Sequence, residues 1–139
     1  MKAHIGTSGW TYDHWRGSFY PPDLPRARWL AYYAEHFGTV ELNATFYRSM
    51  RESAFENWRR KTPTGFIWSV KANRFITHIR RLKDVRPSLE KFFTSIAPLQ
   101  EKLGVVLFQL PPGLGFQKAD FESFCELLRK RVGASHPGD

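Results

Sequence analysis

Cysteine occurs once in the 139 residues, so no disulfide within the chain can hold it together and a hydrophobic core must do so instead. The material for that core is present: 42% of the residues are hydrophobic and 16% aromatic, over the length of one ordinary domain. Long apolar runs are missing, and the purely apolar stretches extend over only a few residues, too few to span a bilayer. Residues 1–9 carry one lysine and pass directly into a glycine-rich turn, which is not the pattern of a secretory leader. A cytoplasmic protein with no membrane partner is expected. The lone Cys125 shares a helical stripe with Phe121, Phe124 and Leu128 and reads as a core thiol, because no histidine or basic residue on its face would activate it.

Metal and nucleotide signatures are also absent. There is no His-x-x-x-His, no cysteine pair and no carboxylate cluster, so no metal site is expected from these residues alone, although carboxylates from elsewhere can complete one around Glu41. No strand runs into G-x-G-x-x-G, and no cofactor is specified. Acidic residues are scarce in one region only. From Arg48 to Arg86 eleven Lys or Arg face three acids (Glu52, Glu56, Asp84), which accounts for the whole net charge of +8, while ten of each cancel elsewhere. Such a block suits an anionic small molecule or nucleic acid, and a solvated basic surface is the plainer explanation.

The segment TVELNATFYR, Thr39 to Arg48, has the two-residue period of a strand: Val40 and Leu42 fall on one face, Thr39, Glu41 and Asn43 on the other. Three further strands read as Ile5 to Ser8, Phe66 to Ala72 and Gly104 to Leu110. Helices alternate with them. Trp29, Leu30, Tyr33, Ala34 and Phe37 form an apolar stripe ended by Gly38. Ser53 with Glu56 reads as a capping box ahead of Ala54, Phe55 and Trp58. Ser88 opens a helix through Leu89, Phe92, Phe93 and Ile96 that Pro98 kinks or restarts, and Asp120 caps a last helix to about Arg131. Strand and helix repeated four times predict an α/β fold of parallel strands with outer helices, at the residue spacing of a TIM-barrel unit. A complete barrel takes about 250 residues, so four units make half of one. A small open doubly wound sheet is the competing architecture.

In a barrel the polar residues at the C-terminal strand ends meet in one mouth, and here those are Ser8, Glu41, Asn43, Lys71, Asn73 and Gln109. Glu41 is the candidate base and Lys71 the candidate anion binder, the two forming an ion pair that either tunes the site or merely fills the core. Asn43 and Gln109 orient a ligand or satisfy each other. The loop from Trp10 to Tyr20 is unusually aromatic. Its rings, Trp10 and Tyr12 first among them, either stack a ring-bearing ligand or make the loop's own small core. His78, next to Thr77 in the basic connection, is better placed for an anion than His14, which alternates with aromatic residues.

The motifs GTSGWTYDHWRGSFYP (6–21), VELNATFYR (40–48), SVKAN (69–73), TH (77–78) and LFQLPP (107–112) resemble, in order, those of the YecE-like family, a TIM-barrel-like domain of unknown function. The resemblance covers residues 4 to about 130 and implies a barrel mouth, not a named reaction. Family members continue into further strands with a V-E-F-R-H type of motif. Here residues 132–139, VGASHPGD, read as a polar tail without order, and residues 1–131 as the N-terminal half of the domain. The function expected is an enzyme or binding protein for an anionic or carbohydrate-like small molecule. A nucleic-acid-binding module and an inactive fragment are the alternatives, and sheet edges left open favour self-association.

Overall fold

The computed structural model describes residues 2–133. Strands β1 (Gly6–Ser8), β2 (Thr39–Leu42), β3 (Ile67–Lys71) and β4 (Leu103–Leu107) form one sheet in the order β1-β2-β3-β4, and every pairing is parallel. Each strand lies beside its predecessor. A doubly wound sheet would reverse direction at a switch point, so the four units are those of a (β/α) barrel. The helices are α1 (Trp29–His36), α2 (Ala44–Tyr47), α3 (Glu52–Lys61), α4 (Arg86–Ile96) and α5 (Lys118–Gly133).

Strand alternation divides the sheet into two different faces. Val40, Leu42, Trp68 and Val70 are buried against the helices, where they meet Trp29, Leu30 and Tyr33 of α1, Phe55 of α3, and Leu89, Phe92 and Ile96 of α4. Each such side chain, removed from water, contributes roughly 1.5–3 kcal/mol. Glu41, Ile67, Ser69 and Lys71 lie on the other face and are only half-buried. Close strand approach needs glycine twice: a Cβ on Gly6 would overlap the Thr39 carbonyl, and one on Gly104 would overlap the Ile67 side chain, beside the register shift between β3 and β4. Buried Tyr33 braces the first pair of strands, accepting from the Thr7 amide at 2.9 Å and donating to the Thr39 carbonyl at 2.9 Å.

Several boundaries differ from the sequence reading. Ile5 stays outside β1 and exposed, and β4 runs from Leu103 only to Leu107, after which Phe108 turns to pack edge-on against Phe124 of α5. The capping box does not form. α3 starts at Glu52 with Arg51 at its cap and no side-chain hydrogen bond there, which puts Ser53 inside the helix. α4 starts at Arg86 with Pro87 in its first turn, where a missing N–H costs nothing. It stops at Ile96, and Pro98 falls in a following 3-10 turn, Ala97–Lys102. Asp120 lies within the first turn of α5 and pairs with Lys83 at 3.4 Å. Cys125 is half-buried; Phe124 beside it is core, but Phe121 is exposed, so the predicted stripe faces partly outward. The tail predicted from residue 132 falls mostly outside the described residues, and α5 runs on to Gly133.

Among the described residues Lys102 is the one charged residue in the buried set, and its ammonium group joins two elements. It donates to the Arg59 carbonyl at 2.7 Å and to the Thr62 carbonyl and hydroxyl, closing the open C-terminal end of α3 onto the turn before β4. Burial holds its pKa below the ordinary lysine value.

Candidate active-site mouth

The register aligns Ser8 with Glu41 and Glu41 with Ser69 on the face without helices, and Lys71 ends β3 on that same face. The Ser8 hydroxyl donates to Glu41 Oε1 at 3.3 Å, and the Asn43 amide in turn donates to the Ser8 oxygen. Asn43, Ser8 and Glu41 are therefore a chain of donors ending on a carboxylate, which orients the acid through neutral partners. The Tyr12 hydroxyl donates to the Ser8 carbonyl and lies over Gly9, whose φ of +78° suits a residue lacking Cβ. That fixes a partly exposed aromatic ring at the edge of the mouth.

The expected Glu41–Lys71 ion pair is not formed. Lys71 instead sets its ammonium 4.5 Å from the centroid of the Phe46 ring, a cation–π contact. Phe46 belongs to α2, the single turn that follows Asn43, and neither this turn nor the role of Phe46 was anticipated. His78 meets the same ring edge-on at 5.0 Å, and its Nδ1 lies 2.8 Å from the hydroxyl of fully buried Thr77. Thr77 and His78 sit in a π-helical turn, Phe75–Ile79, followed by left-handed backbone at Arg81, Leu82 and Asp84. Such conformations persist only where packing imposes them and are frequent at functional sites; buried Leu82 supplies that packing here.

Three other predicted residues have different surroundings. Trp10 goes to the core, edge-on to Trp58 at 5.7 Å and Trp68 at 5.5 Å, with its carbonyl accepting from buried Tyr20. The loop's rings thus make largely their own core: Tyr20 stacks on Trp29 with centroids 4.4 Å apart. Asn73 is a brace, its amide donating to the Thr45 carbonyl at 3.0 Å and its oxygen accepting from the Phe75 amide at 2.9 Å. Gln109, two residues past β4, is exposed and makes no hydrogen bond with Asn43, whose amide goes to Ser8. His14 is exposed beside Tyr12 and Trp15.

The basic block does not form a single stripe. Arg59, Arg60 and Lys61 end α3, which returns the chain to the start of β3, whereas Lys71, Arg74, Arg80 and Arg81 follow from the other end of that strand. Arg59 pairs with Glu101 at 3.1 Å and Arg80 with Asp84 at 3.3 Å. Among the described residues no cluster of three or more His, Cys, Asp or Glu is arranged to hold a metal, and no helix is long and apolar enough to cross a membrane.

A family model described as "Protein of unknown function DUF72" matches residues 4–135. The chain belongs to this family. It is 36% identical over 121 residues to the UPF0759 protein YunF of Bacillus subtilis (strain 168), covering 83% of this chain and 42% of that one. It is 31% identical over 86 residues to the UPF0759 protein YecE of Escherichia coli (strain K12), covering 62% and 32% respectively. A crystal structure of a DUF72 family protein from Thermotoga maritima MSB8 superposes with a TM-score of 0.75 at 34% identity, covering 98% of this chain and 53% of that one. A DUF72 protein from Enterococcus faecalis V583, at 22% identity and a TM-score of 0.68, shares the fold. The DUF72 chain thus spans between 32% and 53% of the length of these relatives, and its four units are those of a partial TIM-like barrel.

Proposed function

We propose that this DUF72 chain supplies part of a TIM-barrel mouth that binds, and as an enzyme acts on, an anionic or carbohydrate-like small molecule. The observation that carries the reading is the Asn43–Ser8–Glu41 donor chain with Lys71 and His78 on the neighbouring strand end. Glu41 is positioned as a base because the hydroxyl and amide donors beside it orient its carboxylate and none of them is a cation. Lys71, free of any carboxylate, is available to an anionic group. Tyr12 and Tyr47, partly and largely exposed, are the rings on which a sugar face would stack. Splitting of the basic block between two ends of the sheet favours a small ligand over nucleic acid, which would need a continuous cationic track. A cytoplasmic setting fits this reading, with Cys125 a free thiol.

Thermal-shift screening of sugar acids and sugar phosphates, neutral sugars and single-stranded DNA tests it. Expected is stabilisation by an anionic sugar that Glu41→Gln and Lys71→Met each weaken. Strongly salt-dependent binding of DNA that is indifferent to both substitutions would refute it.

A further inference from the structure

Within the basic block Arg59, Lys61, Lys71, Arg80 and Lys83 are engaged, but Arg48 is not, and neither is Lys91 just beyond the block: among the described residues neither side chain has a hydrogen bond, ion pair or ring contact. Both line one cavity of about 380 Å³ between the chain following α2 and the face of α4, within the size range of small-ligand sites. No acidic residue lines it. The Ser49 and Ser88 hydroxyls lie on the same walls without partners, whereas that of Ser95 is spent on the Phe92 carbonyl at 2.7 Å. Met50, Phe75 and Phe92 supply an apolar remainder.

We infer that this groove binds the phosphoryl group of a small phosphorylated ligand. Two unneutralised cations and two free hydroxyls match a tetrahedral dianion, which has more acceptor oxygens than a carboxylate can offer. The volume exceeds what phosphate alone fills, and the apolar wall provides for the ester's organic part. The groove is separate from the mouth. Thr45 and Asn73 stand between them, with the Thr45 hydroxyl held by the Lys71 carbonyl at 2.6 Å, so the inference does not depend on Glu41 or Lys71 acting as proposed above.

The test titrates inorganic phosphate into the 139-residue chain at constant ionic strength, followed by calorimetry and by the amide resonances of Ser49 and Ser88. Expected is saturable binding, competed by sulfate but not by chloride, and weakened at least about tenfold by Arg48→Gln or by Lys91→Met. Both side chains are exposed, so the variants should fold, which circular dichroism checks. Arg60→Gln, at an exposed cation on α3 that does not line the groove, is the control and should leave phosphate binding unchanged. Binding abolished by Lys71→Met and untouched by Arg48→Gln and Lys91→Met would move the anion to the mouth and overturn the groove. Shifts that track ionic strength alone, without saturation, would overturn it as an adventitious surface effect.

Discussion

Replacing Lys71 by methionine separates a residue that serves a ligand from one that serves the fold. In this structure Lys71 ends β3 half-buried, its ammonium over Phe46 at 4.5 Å and no carboxylate in ion-pair reach. A cation–π contact at such a partly exposed position stabilises by about 0.5–1 kcal/mol, and methionine retains most of the apolar stem. The melting temperature should therefore fall by no more than about 4 °C. Had Lys71 and Glu41 formed a buried pair, removing one partner would cost about 3–5 kcal/mol, because the other charge would be left uncompensated. Affinity for an anionic ligand should respond much more, since a charge-assisted hydrogen bond is worth about 1.5–3 kcal/mol, or roughly ten- to a hundredfold in Kd. The assay is a thermal melt alongside a binding isotherm for whichever anionic sugar stabilises the wild type. A stability loss above about 3 kcal/mol with unchanged affinity would refute the reasoning and make Lys71 a core residue.

Two further outcomes follow. Lys102→Met removes the ammonium donor from the Arg59 and Thr62 carbonyls, and of the two the Arg59 carbonyl keeps the Thr62 hydroxyl, so urea unfolding at pH 7 should show a loss of about 2–3 kcal/mol. Burial lowers the folded-state pKa of Lys102, so the unfolded chain binds the extra proton between that lowered value and 10.5; wild-type stability gains with rising pH in this window, the variant lacks the gain, and a difference that shrinks instead would contradict it. Sedimentation over a concentration series should show self-association, because β1 and β4 each have a free edge and Ile5 and Val105 are 75% and 56% exposed. A monomer at every concentration would show that these edges do not drive assembly.

The strand order and the two faces of the sheet were legible because a period of two is imposed by backbone geometry whatever packs against it. It correctly put Glu41 and Lys71 on one face. The same period says nothing about where a long side chain ends, and Lys71 found Phe46, a residue 25 positions earlier brought close by a turn that the sequence does not advertise. That turn is closed by local bonds, Phe46 N to Asn43 O and Arg48 N to Ala44 O, which short polar and aromatic residues can form or omit. Trp10 shows the corresponding limit for loops. Aromatic density marks a cluster, but Trp58 and Trp68, far along the chain, decide that Trp10 faces inward. Ser53 and Glu56 have capping-box spacing, yet the same spacing fits one face of a helix interior, and α3 starts at Glu52, two residues before the helix that such a cap would open.

The inner face is itself divided. Ser8, Glu41, Ser69 and Lys71 make the β1 to β3 side polar, while Val105 and Leu107 make the β4 side apolar, although the register puts Ser69 beside Val105 and Lys71 beside Leu107. Water can satisfy the polar side but not the apolar one, so the drive to cover this face comes from β4. In a longer relative the portion this chain does not span would supply that cover, and between two copies a second β4 side would. Either way the covering surface meets Val105 and Leu107 first, and the Asn43–Ser8–Glu41 chain lies two strands away. Association and ligand binding should consequently be separable. Val105→Lys would oppose the first by putting a charge on the apolar side, without touching any residue of the second.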